Sequence, residues 1–327
     1  MPEFGQLDIL QHEVMTGIVE KFKRPAFIGG SLFPEKKVLS NTSKWDIIEH
    51  NRDMADFSVP GAPAKIVNRR GVKSQTATQA YIREKKQLDG VTMAWLRKPG
   101  TEHQQWKDAA VGEELDELDS RLEFRKEWMR WQAMTGTITV AQDDVMFVID
   151  ERIDTTHKNA VAAVTWATAT TDIPGDIRTC KRLINADSGA VCTEAYANES
   201  VMVYLQKNNY VKDKMGDSMK NQIATTGYIT RFMGLTWTWY DIGYVPASTS
   251  TFTRFIADDY VFFTTPPGTF AREDTGPATD PKANFRPGKF SKSWEEEDPA
   301  GVWVLEEQSF IPIVTHVNKL VRFDTTT

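Results

Sequence analysis

The sequence predicts an α+β fold built around one long amphipathic helix. Apolar residues recur at helical spacing across residues 108–135, whereas most other segments group β-branched and aromatic residues between Gly and Pro turns. A basic stretch with few apolar residues, 56–90, precedes the helix. The chain has 327 residues, of which 40% are hydrophobic, and this is enough for one large domain or two modest ones.

The first 35 residues predict an N-terminal arm that contains a short helix. The segment stops at Arg24-Pro25. Its apolar residues lie at roughly helical spacing and are Leu7, Ile9, Leu10, Val14, Ile18, Val19 and Phe22. So small a helix has little core of its own. We therefore expect the arm to rest on another copy of the chain.

Residues 56–90 predict an extended β-hairpin loop with arms at 65–73 and 77–83 and a tip at 74–76. From Lys65 to Lys86 there are seven basic residues and one acid, Glu84. A hairpin with so little apolar content is at best marginally stable alone, so we expect it to lie on a neighbouring copy. The candidate inter-subunit contacts are Lys65, Arg69, Arg70, Lys73, Tyr81, Arg83, Lys85 and Lys86.

The alternative partner for this basic loop is nucleic acid. Its one aromatic residue, Tyr81, gives poor support for stacking on bases, and the whole chain carries a formal net charge of −6. Contact with acidic residues of a neighbouring subunit is therefore the favoured interpretation. We expect that deleting residues 65–86 leaves a soluble subunit that fails to assemble.

The clearest helix is predicted over residues 110–135. Val111, Leu115, Leu118, Leu122 and Met129 form one stripe. Acidic residues crowd the first turns, where the helix dipole favours them, and Gly136 is placed to end the helix. At about 1.5 Å per residue such a helix is a rod of roughly 37 Å.

The remaining segments divide into strands and helices. We predict strands at 136–140 and 145–150, mainly helices at 174–225, strands at 226–270, a polar loop at 271–301 and a strand at 309–321. Because tryptophan is enriched at protein interfaces, four tryptophans are interface candidates: Trp237, Trp239, Trp294 and Trp303.

Motifs for catalysis or ligand binding are weak. Gly216-Asp217-Ser218 is similar to the nucleophile block of one esterase family but lies in a predicted helix, so a serine hydrolase using Ser218 stays only as an alternative. Phosphate-binding glycine loops and metal-ligand spacings do not occur. We predict no catalytic residue, cofactor or metal, and expect Cys180 and Cys192 to be reduced, partly buried thiols.

The order of these parts resembles the capsid fold of tailed bacteriophages, the HK97 type. Short stretches also resemble the lambda-like major capsid protein E family; they are Arg24-Pro25-Ala26-Phe27-Ile28, Ser31-Leu32-Phe33-Pro34, Trp45-Asp46-Ile47, Val59-Pro60-Gly61-Ala62-Pro63, Asn68-Arg69-Arg70-Gly71 to Tyr81-Ile82, the helix with Arg121 and Glu123 closing at Gly136-Thr137-Ile138, Val164-Thr165-Trp166 through Ile173-Pro174-Gly175-Asp176, and Phe310-Ile311-Pro312. The resemblance covers most of the chain as an ordered pattern, and residues 271–301 match nothing in it.

The resemblance implies hexamers and pentamers in an icosahedral shell that encloses double-stranded DNA without reading its sequence. It implies an arm at 1–35, an extended loop at 56–90, a peripheral domain of 36–55, 91–160 and 310–327 with the spine helix, and an axial domain of 161–309. Implied partners are a decoration protein, a portal, a scaffold and a maturation protease. We expect host cytoplasm and then virion as locations, with no membrane contact. A tail-tube or other phage structural protein is the remaining alternative.

Overall fold

The computed structural model describes residues 11–22, 27–48, 54–55, 57–61, 63, 72–89, 103–142, 145–246, 249–297 and 300–326. The helices are α1 (His12–Val19), α2 (Gly29–Leu32), α3 (His103–Thr135), α4 (Thr155–Lys158), α5 (Ile173–Ser188), α6 (Glu199–Lys207), α7 (Asn209–Lys214) and α8 (Asp217–Thr226). The strands are β1 (Glu35–Lys37), β2 (Thr42–Ile48), β3 (Val72–Thr78), β4 (Ala80–Asp89), β5 (Thr137–Gln142), β6 (Val145–Asp150), β7 (Ala160–Val161), β8 (Glu194–Ala197), β9 (Arg231–Phe232), β10 (Leu235–Trp239), β11 (Gly243–Tyr244), β12 (Thr253–Arg254), β13 (Tyr260–Thr264), β14 (Ala271–Thr275), β15 (Phe290–Glu297), β16 (Ala300–Val314) and β17 (Leu320–Asp324).

Two sheets organise the fold. A five-stranded sheet has the order β1-β14-β16-β15, and β4 pairs with the long strand β16 on its other edge. A six-stranded sheet has the order β7-β17-β13-β8-β10-β9 and packs against α5, α6 and α7 in a core of its own. The largest core contains residues of both sheets. Within it, Trp131 of α3 stacks on Tyr240 at 5.3 Å and packs against Phe262 of β13.

The long helix α3 runs from His103 to Thr135, so it begins earlier than the predicted 110 and ends where predicted. Its predicted apolar stripe is buried: Val111, Leu115 and Leu118 pack with α1, and Met129 packs in the largest core. Gly136 ends the helix with a φ of +99°, a conformation that favours glycine, and its N–H bonds to the carbonyl of Ala133 at 3.0 Å.

Substitution by alanine should change the free energy of unfolding in opposite directions at two glycines of this region. Gly136→Ala places a Cβ in the left-handed region and should lower the free energy of unfolding by about 1–2 kcal/mol. Gly112→Ala lies inside the helix, where an added Cβ meets nothing within 4 Å, and should raise that free energy by roughly 0.5–1 kcal/mol. Chemical denaturation of both variants checks this pair, and equal signs would contradict the assigned end of α3.

The extended loop has different arms from those predicted. β2 pairs with β3 in antiparallel register from Thr42↔Thr78 to Ile48↔Val72, so the loop arms are 42–48 and 72–78. The predicted tip at 74–76 lies in the middle of β3, and the predicted second arm, 77–83, crosses from β3 into β4. The predicted pairing was wrong because a register depends on the partner strand, and both β2 and β3 carry acceptable strand patterns.

The predicted polar loop at 271–301 was also wrong. That segment contains β14 and β15, which are hydrogen-bonded to β16 in the five-stranded sheet. Within the axial domain predicted at 161–309, β14 and β15 therefore belong to the five-stranded sheet, and the division into domains stays a prediction. Conversely, β17 pairs with β13 and belongs to the second sheet, although residues 310–327 were predicted to be peripheral. These strands were not predicted because charged residues are typical of a surface loop. In the structure, Glu273, Asp274 and Glu306 are nevertheless buried.

Helix α1, in the described part of the N-terminal arm, packs on its own subunit, contrary to expectation. Met15 and Val19 of α1 are fully buried against Leu115 of α3 and Val304 of β16. Thr16 adds a hydrogen bond, its Oγ1 accepting from the N–H of Ser291 at 3.1 Å. The short apolar stripe of α1 therefore packs against α3 and β16 of the same chain. Residues 1–10 lie outside the described residues.

None of the described helices combines the length and apolar character that crossing a lipid bilayer requires.

Candidate assembly surface

The extended loop is anchored to the body at its base. Trp45 and Ile47 of β2 are buried in the largest core, while Lys44 and Asp46 between them are exposed, as the alternation of a strand requires. The second arm is tied by Gln75, whose Nε2 donates to the carbonyl oxygen of Asp150 at 2.6 Å. The arms are therefore held on one face and open on the other.

Beyond the arms, the loop exposes large apolar side chains. Met54 is 89% exposed, Phe57 104% and Val59 74%. Exposed large apolar side chains are a feature of surfaces that bind other proteins. The described residues of the loop thus offer contact area that the subunit's own body does not cover.

Two further segments expose apolar residues that the sequence did not identify. Val145, Met146 and Val148 are exposed on strand β6 of the β5–β6 hairpin, and Val245 and Phe252 are exposed near β11 and β12. The sequence does not distinguish exposed Met146 and Val148 from buried Ile149, because every residue from 145 to 149 is apolar.

Of the predicted contact residues on β4, Tyr81, Arg83 and Lys86 pair with carboxylates of the same subunit, and Lys85 lies 4.2 Å above the ring of Trp303. Tyr81 donates its hydroxyl hydrogen to Glu307 at 2.5 Å, and Arg83 lies 3.4 Å from the same carboxylate. Burial, followed by the hydrogen bond to Glu307, raises the pKa of Tyr81 to about 12. Lys86 bonds to Glu114 and to Glu117 of α3, and its pKa is raised mainly by the bond to Glu114. These side chains fasten β4 to β16 and α3.

The other basic residues predicted as contacts fall into two groups. Lys65, Arg69 and Arg70 lie outside the described residues. Lys73 lies in β3 opposite Ile47, with its side chain exposed on the loop arm. Its role in contacting a neighbour remains a prediction.

Trp237 and Trp239 form part of the second core. Their rings stack at 5.4 Å with an angle of 15°, and Trp237 is buried against Phe263. Trp239 is half-buried and donates its indole hydrogen to the carbonyl of Ile229 at 2.7 Å. Both rings therefore stabilise the six-stranded sheet, and their contact with a neighbouring subunit remains a prediction.

A buried carboxylate, Glu127 of α3, joins the spine helix to two other parts of the chain, at Gly29 and Tyr240. Its Oε1 accepts hydrogen bonds from the N–H of Gly29 at 3.0 Å, from the indole of Trp131 at 3.0 Å and from the hydroxyl of Tyr240 at 2.7 Å. Its Oε2 accepts from Arg130 at 3.2 Å. Gly29 is the residue that fits here, since an added Cβ would lie 2.3 Å from Oε2.

The same helix is joined to the five-stranded sheet by buried ion pairs. Arg130 bonds to Glu273 of β14 at 2.7 Å, and Lys126 lies 3.0 Å from its other oxygen. Burial alone would raise the pKa of Glu273, but Arg130 and then Lys126 outweigh it and lower that pKa. Glu123 behaves likewise: burial opposes ionisation, yet Lys126 and Lys289 lower its pKa to about 2. The charged residues of α3 therefore set how the helix sits on the sheet.

A second buried carboxyl, Glu151, predicts a pH-dependent stability. It follows β6, and its Oε2 accepts from the N–H of Val314 at 2.9 Å. Burial raises its pKa from 4.5 to about 8. Because the folded pKa exceeds the unfolded one, its contribution is complete below about pH 4.5 and is lost as the pH rises towards about pH 8.

Glu151→Gln should weaken this decline, because the amide is neutral throughout and keeps an oxygen for Val314. The check is the free energy of unfolding of wild type and variant at about pH 5 and about pH 8. Glu113→Gln, which alters an exposed carboxylate of α3, is the control and should follow the wild type. An identical decline in all three proteins would contradict the buried acid.

The residues proposed for other chemistry are not assembled into a site. Ser218 is exposed in the first turn of α8. Cys180 and Cys192 are both free and buried, as predicted. Among the residues that the structure describes, no group of three or more His, Cys, Asp or Glu side chains could hold a metal ion.

The fold is shared with several solved phage structures. A prophage protein of E. coli CFT073 assigned as a capsid protein superposes with a TM-score of 0.66 at 14% identity, covering 96% of this chain and 99% of the other. The mature capsid of bacteriophage PhiM1 gives 0.55 at 11%, covering 93% and 87%. The capsid of cyanophage P-SCSP1u gives 0.53 at 10%, covering 93% and 89%. The chain therefore has the HK97-type capsid fold.

Family membership follows from the sequence itself. The family model for phage major capsid protein E matches residues 12–325, and the chain belongs to that family. It is a major capsid protein of a phage head, and many copies of it form the shell. No curated protein matches the sequence significantly. The predicted fold and capsid function are confirmed, and neither the tail-tube nor the hydrolase alternative is favoured.

Proposed function

We propose that copies of this chain assemble as hexamers and pentamers of an icosahedral head that encloses double-stranded DNA. The observation that carries the proposal is the loop between β2 and β3, whose arms are anchored while Met54, Phe57 and Val59 are exposed. Burying one such side chain against a neighbour contributes about 1.5–3 kcal/mol, and this is repeated in every copy of the shell. The loop is proposed to lie across the neighbouring subunit.

Shell closure follows from repeating one heterologous contact around a ring. Such a contact closes when the rotation between copies completes a circle, and small changes in that rotation convert six-membered rings into five-membered ones. The loop, the β5–β6 hairpin and the segment around β11 and β12 supply three separate exposed surfaces for these contacts. Permanent interfaces of this kind bury about 2,000 Å² or more.

The charge of the chain favours enclosure of DNA over tight binding. A formal net charge of −6 opposes non-specific attraction to phosphates. The proposed role is therefore that of a container without catalytic activity, assembled in the host cytoplasm. A portal, a scaffold, a maturation protease and a decoration protein are proposed as separate partners.

Negative-stain electron microscopy of the expressed protein tests this function. Closed shells, or rings of six and five subunits, are the expected particles. Open tubes of uniform width would instead support a tail-tube role, and a monodisperse monomer at high concentration would contradict assembly altogether.

A further inference from the structure

The segment between β6 and β7 connects the end of α3 to the six-stranded sheet. At its start, the N–H of Glu151 donates to the carbonyl oxygen of Gly136, the residue that ends α3, at 2.9 Å. At its end, β7 pairs with β17 of the six-stranded sheet. The short helix α4 lies between these two contacts, and its residue His157 is fully buried. The contacts of His157 therefore determine how the middle of this connection is held.

Both ring nitrogens of His157 lie against oxygen atoms. Nδ1 is 2.8 Å from the carbonyl oxygen of Leu320, the first residue of β17, and Nε2 is 2.8 Å from Oδ2 of Asp187 in α5. A carbonyl oxygen and an ionised carboxylate can only accept hydrogen bonds, whereas a neutral imidazole has a single N–H to donate. The ring therefore makes both hydrogen bonds only when each nitrogen carries a hydrogen, as in the charged imidazolium.

The position of Asp187 favours a positive charge at this point. Asp187 lies in the last turn of α5, where the helix dipole disfavours a carboxylate and favours a cation. That turn has no basic residue of its own. The imidazolium of His157 supplies the charge from α4. Asp187 is 41% exposed, so its carboxylate can turn to solvent when the ring becomes neutral.

The other charged groups on the elements around α4 have partners of their own. Asp154 accepts from the N–H of Thr156, and the hydrogen bonds from Thr156, followed by the charges of His157 and Lys158, lower the pKa of Asp154. In and before β17, Arg322 donates to Asn159, Lys319 donates to the carbonyl oxygen of Thr269, and Asp324 accepts from Thr326. Asp187 is therefore the carboxylate that the ring of His157 contacts.

We propose that His157, Asp187 and the carbonyl of Leu320 form a pH-sensitive latch that fastens the connection between α3 and the six-stranded sheet. The doubly protonated ring joins α4 to both β17 and α5. When Nε2 loses its proton to water, its lone pair faces the carboxylate, and the bond to α5 is lost. Because the charged ring is the bonded state, the latch is closed at acidic pH and opens as the pH rises through the range in which imidazole titrates, about pH 5–8. This inference concerns the single subunit and is independent of the proposed function.

Asp187→Asn tests the latch, because an amide can pair with the ring in either state. Its oxygen accepts from a protonated Nε2, and its NH2 group donates to a neutral one. Backbone hydrogen exchange, read by mass spectrometry on peptides covering residues 155–161, is compared at about pH 5.5 and about pH 8.5 after correction for the intrinsic exchange rate. Parent and variant both carry Glu151→Gln, so that the buried acid described above does not contribute.

Protection of residues 155–161 in the parent should fall by about tenfold or more between the two pH values, since a hydrogen bond to a charged group is lost. Asp187→Asn should show no such fall, and Asp213→Asn, at an exposed position of α7, is the control and should follow the parent. Equal protection of the parent at both pH values, or an equal fall in parent and Asp187→Asn, would overturn the latch. Should Glu151→Gln impair folding, the wild-type background takes its place, because the contribution of Glu151 is then common to all three proteins.

Discussion

Arg130→Met should lower the free energy of unfolding of the unassembled subunit by about 3–5 kcal/mol, the usual cost of breaking a buried ion pair. The guanidinium of Arg130 bonds to Glu273 at 2.7 Å and to Glu127 at 3.2 Å, and all three residues are buried. Removing it leaves two buried carboxylates with less compensation, although Lys126 still contacts Glu273. Urea denaturation measures the loss.

Arg121→Met is the matched control on the same helix. Arg121 is 59% exposed and pairs with Glu84, which is itself partly exposed. Surface pairs of this kind contribute about 0–1 kcal/mol, so this variant should unfold close to the wild type. Similar losses for both arginines would contradict the claim that the buried cluster fixes α3 to β14.

Closing the extended loop should abolish assembly without unfolding the subunit. The change replaces residues 49–71 by a short glycine turn between Ile48 and Val72, which already pair across β2 and β3. The exposed apolar side chains Met54, Phe57 and Val59 are lost, whereas buried Trp45 and Ile47 are kept. Analytical ultracentrifugation should show the assembled fraction falling to near zero, with an unchanged melting temperature.

This variant replaces the deletion of 65–86 that the sequence alone suggested. Residues 80–86 belong to β4, which pairs with β16 along the five-stranded sheet, so that deletion would also damage the body. A control insertion of the same glycine turn into the described turn after α8, at Gly227, should leave assembly intact. Shells of normal stability from the loop-closed variant would contradict the role given to the loop.

The sequence predicted those elements whose signal is local. The apolar stripe and Gly136 define most of α3, since both the repeat and the stop lie within one helix. The strands β5 and β6 were likewise predicted from their own composition. These features need no knowledge of the rest of the fold.

Features that depend on distant partners were not predicted. β14 has the composition Ala-Arg-Glu-Asp-Thr, which is typical of a surface loop. It is a buried strand because Arg130 and Lys126 of α3 pair with Glu273, and that contact is not visible in the local sequence. α1 appeared to need another subunit because its partners, α3 and β16, lie far along the chain. The basic residues of β4 appeared free for the same reason, as Glu307 and Trp303 are more than two hundred positions away.

Cryo-electron microscopy of the assembled wild-type protein tests the central claim most directly. The account predicts a closed icosahedral shell in which density for residues 49–71 of each subunit lies on an adjacent subunit. A particle in which that segment folds back onto its own five-stranded sheet, or one built as an open tube, would contradict it.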